Sequence, residues 1–151
     1  MLGLHDAMVS TIGLITGLVF AAADQYTIIL TCVIASVAAG LSMAASEYLA
    51  ARTDGQSDIA IWRGVATGAT YIFTVGFLIV PFVFVRNTIY AVLMTYLIAI
   101  SIIWFFNFVK SRLCGEKFWP RFWEMFVICA IVTATAFIIG EGARIFFGIV
   151  I

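Results

Sequence analysis

Long apolar runs, separated only by short polar or charged stretches, fill almost the whole chain. A run of about 20 apolar residues is the length that crosses a bilayer as a helix, because in lipid the backbone N–H and C=O groups must be satisfied within the segment itself. Segmenting on these runs predicts spans at 7–23, 27–50, 64–85, 88–109 and 123–142. Five spans leave no room in 151 residues for a separate soluble unit. The expected fold is therefore an all-α integral membrane protein, with 1–151 forming a single transmembrane domain. Charged residues make up only 11% of the chain, against about a quarter in a soluble domain.

The run from Ala7 to Ala21-Ala22-Ala23 has the small-residue ending of a signal peptide but lacks a positive n-region. The only charge ahead of it is Asp6, beside His5, so it is read as the first helix of the mature protein. With five spans, Arg52, Arg63, Lys110, Arg112, Lys117 and Arg121 fall on the side of the N-terminus, and only Arg86 and Arg144 fall opposite. The positive-inside rule then predicts a cytoplasmic N-terminus and an outward C-terminus. Trp62, Trp104, Trp119 and Trp123 gather near the cytoplasmic side, with Tyr26 and Tyr90 at the outer interface. The fifth run is broken by Glu141 and Arg144, a pair three residues apart on one helix face that is expected at the outer interface. Pro81 is expected to kink the third span.

Several function classes drop out. Eight basic residues balance eight acidic ones, which argues against nucleic acid, since such partners are met through a clear basic excess. Cys32, Cys114 and Cys129 form no CxxC pair and suggest neither a disulfide framework nor a zinc site. A single histidine at the chain end permits no Ser/His/Asp or Cys/His arrangement, and no glycine-rich phosphate loop is present. The chain is not read as an enzyme.

The chemistry lies with ionisable residues at membrane depth, each of which costs about 2.5–3.5 kcal/mol on insertion scales. On a helical wheel, Asp6, Ser10, Gly13, Gly17, Ala21 and Asp24 share one face of the first helix. That face reads in two ways. Gly13 and Gly17 form a GxxxG contact that lets two backbones approach, or the face lines a path with a carboxylate at each mouth. The second helix has a matching stripe of Cys32, Ser36, Gly40, Met43 and Glu47, with Met43 and Glu47 four residues apart. Taken alone, Met43 fills a gap and Glu47 reaches for the interface. The topology, however, puts Asp6 at the same depth as this pair. Carboxylates with an added soft thioether favour first-row transition metals such as ferrous iron over magnesium or calcium. Asp6, Met43 and Glu47 are thus the candidate metal ligands, with Ser10, Gly13, Gly17, Asp24, Ser36 and Gly40 as candidate path-lining residues. His5 joins them as a possible ligand, against the alternative that it is simply solvated.

His5-Asp6-Ala7-Met8-Val9-Ser10-Thr11 resembles the Asp-Gly-hydrophobic-Val-Ser/Thr opening of the first span in the vacuolar iron transporter family. Ser42-Met43-Ala44-Ala45-Ser46-Glu47-Tyr48 resembles that family's Ser-Met-Ala-Ala-Gly-Glu-Tyr end of the second span, six of seven positions agreeing. The resemblance implies a five-helix subunit, a homodimer with the path on its two-fold axis, and export of ferrous iron or manganese from the cytosol by proton antiport. It makes Asp6 and Met43 transport-site residues with Glu47 beside them, the metal being cargo and no cofactor being permanently bound. Ala7 and Ser46 stand where the family has glycine. Many members carry a long acidic, methionine-containing cytoplasmic domain between the second and third spans, whereas here that connection is Arg52 to Arg63. Metal delivery would then fall to a cytosolic, ferritin-like partner. The competing reading is a non-transporting membrane subunit or anchor that dimerises and recruits such a partner. The absence of a targeting segment points to a bacterial or archaeal plasma membrane.

Overall fold

The computed structural model describes residues 2–114 and 118–146, with side chains at 3–113 and 119–146. Five α-helices carry the described chain: α1 (Leu2–Phe20), α2 (Gln25–Thr53), α3 (Ser57–Phe84), α4 (Thr88–Cys114) and α5 (Phe118–Phe146). All five are long and apolar enough to cross a membrane. They run alternately up and down, so the odd-numbered helices are parallel to one another. Arg52, Arg63, Lys110, Arg112 and Arg121 consequently lie toward one end of the bundle, hereafter the basic end, with Trp62, Trp104, Trp119 and Trp123. Arg86, Arg144, Tyr26 and Tyr90 lie toward the other.

The helices outrun the apolar runs that predict them. α1 starts at Leu2, placing His5 and Asp6 inside the helix. The predicted loop from Arg52 to Arg63 is instead a turn at Asp54-Gly55-Gln56 between two helix ends. Gly55 turns there with φ +76°, the left-handed conformation that ends helices and that an L side chain resists. Apolar patterning reports where a helix meets lipid, whereas the hydrogen-bond ladder continues into water for as long as no residue breaks it. α5 likewise runs past the predicted end at 142, unbroken through Glu141 and Arg144 to Phe146, and residues 147–151 lie outside the described residues. α3 continues through Pro81 and ends a turn later, with Val85 N–H donating to the Pro81 carbonyl at 2.8 Å.

Small residues set the two broadest seams. Along the antiparallel α2–α3 pair, a Cβ on Gly68 would meet the Gly40 carbonyl oxygen at 2.8 Å, and one on Gly64 would meet that of Ala44 at 2.7 Å. Along the parallel α1–α5 pair, a Cβ on Gly13 would meet Val132 at 2.8 Å and one on Gly140 the Gly17 carbonyl at 2.5 Å. Such approach suits a bilayer, where dispersion contact rather than expulsion of water holds helices together. α1 runs between these pairs. Its Ile15 packs with Ile28, Val75 and Phe82 in one buried cluster, and its Leu4, Met8 and Ile12 pack with Leu78, Ile103 and Met125 in another. Outward faces carry Ile34, Leu41, Phe73, Phe77, Leu97 and Ile138, all exposed, as a lipid-facing surface requires.

Polar groups inside the bundle are tied down. Thr16, buried, donates to the Ile12 carbonyl at 2.7 Å and its hydroxyl meets that of Tyr96 at 2.6 Å. Thr95 of α4 donates to the Leu78 carbonyl of α3 at 3.0 Å. Gln25 Nε2 donates to the Phe82 carbonyl and, at 2.8 Å, to that of Val85, carbonyls at the end of α3 that the helix itself leaves without donors.

Candidate functional site

The antiparallel arrangement of α1 and α2 brings the start of one and the end of the other to the basic end, and with them Asp6, Met43 and Glu47. Asp6 is exposed in the single chain. One turn on, Ser10 donates to the Asp6 carbonyl at 2.6 Å, and its hydroxyl lies 2.8 Å from that of Tyr71 on α3. Met43 is half-buried, packed on the cluster that contains Ala7 and Tyr71.

Glu47 is the most constrained of the three. The Arg63 guanidinium reaches it across the α2–α3 turn, Nε at 3.0 Å and Nη2 at 2.5 Å, both on Oε1, while Arg63 Nη1 is held by Gln56 Oε1 at 2.9 Å. The second carboxylate oxygen, Oε2, has no protein donor among the described residues. The pair is partly exposed, so its value is positional: charge-assisted bonds hold one oxygen and leave the other presented. Sequence reasoning placed Arg63 in a loop and missed this contact. The signal was present, since Glu47 and Arg63 lie eight residues to either side of Gly55, and a tight helical hairpin sets such residues level.

The path-lining candidates divide. Gly13 and Gly17 face α5 of the same chain, so of their two readings the structure displays the packing one, with α5 as the neighbouring helix. Gly40 sits against Ile72 and Gly68 in the α2–α3 seam, and Ser36 is buried with its hydroxyl donating to the Val33 carbonyl at 2.8 Å. Asp24 is the N-cap of α2 at the far end, accepting from Thr27 N–H at 3.0 Å and from the Thr27 hydroxyl at 2.6 Å. These bonds favour its ionised form and hold the Asp24 carboxyl below its ordinary value. His5 turns away from Asp6 and lines a small cavity with residues of α4 and α5. Among the described residues, no three His, Cys, Asp or Glu side chains converge to form a metal-binding cluster within one chain. Cys32 and Cys129 are buried free thiols.

Five helices, each long and apolar enough to cross a membrane, define a polytopic helical membrane protein. Residues 1–60, which comprise α1, α2 and the turn into α3, match the sequence model of the VIT family. Members of that family are transporters, not enzymes. No curated protein and no solved structure matches the chain.

Proposed function

We propose that the protein exports a divalent transition metal, ferrous iron or manganese, from the cytosol in exchange for protons, along the two-fold axis of a homodimer. The observation that carries this reading is that the family match covers the two helices on which Asp6, Met43 and Glu47 sit, at a common end of the bundle. One chain supplies three donors, too few for a first-row ion. Two-fold symmetry doubles each of them, to six, the number an octahedral metal takes. Glu47 supports the reading because Arg63 occupies only Oε1 and leaves Oε2 for a cation. Protons compete with metal for carboxylates, since ligands must be deprotonated to bind, and an acidic outer side would then favour release. With a tight turn between α2 and α3 in place of a metal-gathering domain, a cytosolic ferritin-like protein is the fitting donor.

The test is flux of ferrous iron and manganese in proteoliposomes, with and without an imposed proton gradient. Gradient-dependent flux that disappears in Asp6→Ala and Met43→Ala, with folding and dimerisation intact, is the expected result. Absence of flux from folded, dimeric native protein would sink the exporter reading and leave the partner-recruiting membrane anchor in its place.

A further inference from the structure

Arg63 meets Glu47 off-centre. A guanidinium and a carboxylate frequently pair edge to edge, two donors on two oxygens, which adds geometric specificity to the charge. Here Nε at 3.0 Å and Nη2 at 2.5 Å both fall on Oε1, while Nη1 is drawn off to Gln56 Oε1 at 2.9 Å. Gln56 is the N-cap residue of α3, yet its side chain makes no cap bond and reaches Arg63 instead. The tight turn at Gly55 thus sets Glu47 and Arg63 level and also supplies the anchor for the guanidinium's outer edge. Held from both sides, the arginine covers one carboxylate oxygen rather than two.

A carboxylate with one oxygen covered can give a cation only the other. Calcium takes about six to eight oxygen ligands and often uses both oxygens of a carboxylate, whereas first-row ions such as manganese are satisfied by about six donors in an octahedron. The Met43 thioether already disfavours calcium by its softness. Arg63 acts on a different property, the number of oxygens on offer. Arg52, on the same end, is turned to Tyr48 instead: it lies over that ring, 5.8 Å from the centroid, and donates to the Tyr48 hydroxyl at 3.4 Å.

We infer that Arg63 is a specificity-determining residue: by occupying Oε1 it limits Glu47 to one metal-facing oxygen, and so rejects calcium in favour of manganese or ferrous iron. Arg63 can do this only if Glu47 is a ligand of the transport site proposed above. In a symmetric pair of chains the donors number six only while each Glu47 gives one oxygen. With Arg63 removed, both oxygens of each would be free and the count would rise to about eight, within the range calcium takes. The positive charge of Arg63 alone would not discriminate, since it repels two divalent ions alike and leaves their ratio unchanged.

Equilibrium dialysis of the purified native protein against manganese, or against ferrous iron without oxygen, with calcium as competitor, tests this. Native protein should hold the first-row ion against a large excess of calcium. In Arg63→Gln the excess needed to displace it should fall by roughly tenfold. In Gln56→Ala, which keeps the charge but frees the guanidinium, it should fall by a smaller factor. Arg52→Gln removes a positive charge from the same end without disturbing the Glu47 contact and should leave the ratio where it was. A ratio unmoved in both Arg63→Gln and Gln56→Ala, an equal shift in Arg52→Gln, or loss of the first-row ion from folded Arg63→Gln would each overturn the calcium filter and leave the transport site standing. Native protein that binds neither first-row ion would remove the transport site itself, and the filter with it.

Discussion

At the scale of single residues, glycines mark where the helices of this bundle approach too closely for an added carbon. Gly140→Ala would drive a Cβ into the Gly17 carbonyl at 2.5 Å, with Phe20 Cβ and Ala21 N at 3.2 Å behind it. Rigid backbone does not yield as a side-chain tip does, so a loss of about 1–3 kcal/mol is expected. Gly76→Ala meets nothing within 4 Å and should be neutral or stabilise by up to about 1 kcal/mol through helix propensity. Thermal unfolding in one detergent would compare the two directly. Asp24 gives a pH prediction. Its folded value lies below its unfolded one, so the stability it adds is complete above the unfolded value, about 3.9, and is lost as pH falls through the folded value. The melting-temperature gap between native protein and Asp24→Ala should be constant at neutral pH and narrow only in strong acid. At this scale the sequence was partly legible: it put Asp6 and Glu47 toward the same end of the bundle, but did not show Arg63 on Glu47 or the polar surroundings of His5. Both of those depend on which helices become neighbours, and apolar runs alone do not say.

At the scale of helices, interhelical hydroxyl pairs join the seams that glycines allow to close. Thr16 with Tyr96 ties α1 to α4, and Ser10 with Tyr71 ties α1 to α3. Such bonds in a membrane average about 0.6 kcal/mol and reach about 1.7, because the unfolded helices also find partners. Tyr96→Phe should therefore cost about 0.6–1.7 kcal/mol, and a double-mutant cycle with Thr16→Val would assign that loss to the pair. The number and order of helices were legible because lipid demands uninterrupted apolar length. Their ends were not. Arg52 and Thr53 belong to α2, and Ser57 to Arg63 to α3, since charged residues do not stop a helix once it leaves the membrane. The Asp54-Gly55 step was the available marker of the turn. The Glu141/Arg144 pair, expected three residues apart on one helix face, is at 3.3 Å an i, i+3 ion pair on α5, and the helix continues past the point where the apolar run is broken.

For the whole molecule, the proposed exchange makes a directional prediction. Metal loading from the basic end should weaken as that side is acidified, because protons displace metal from the carboxylates. Lowering the pH on the opposite side should instead speed net export. Stopped-flow measurements on oriented proteoliposomes would separate the two, and flux indifferent to the side acidified would contradict a proton-coupled cycle. The GxxxG spacing of Gly13 and Gly17 was legible as a contact surface, but its partner was not: the same spacing serves another helix of the chain as readily as a second copy. That partner, α5, is made after α2, α3 and α4. During synthesis the glycine face of α1 has to wait, uncovered, while α2, α3 and α4 enter the membrane. Joining of α1 to α5 therefore has to follow the entry of three other helices, and a ribosome that stops before α5 leaves a product whose unfilled face is open to chaperones and quality-control proteases.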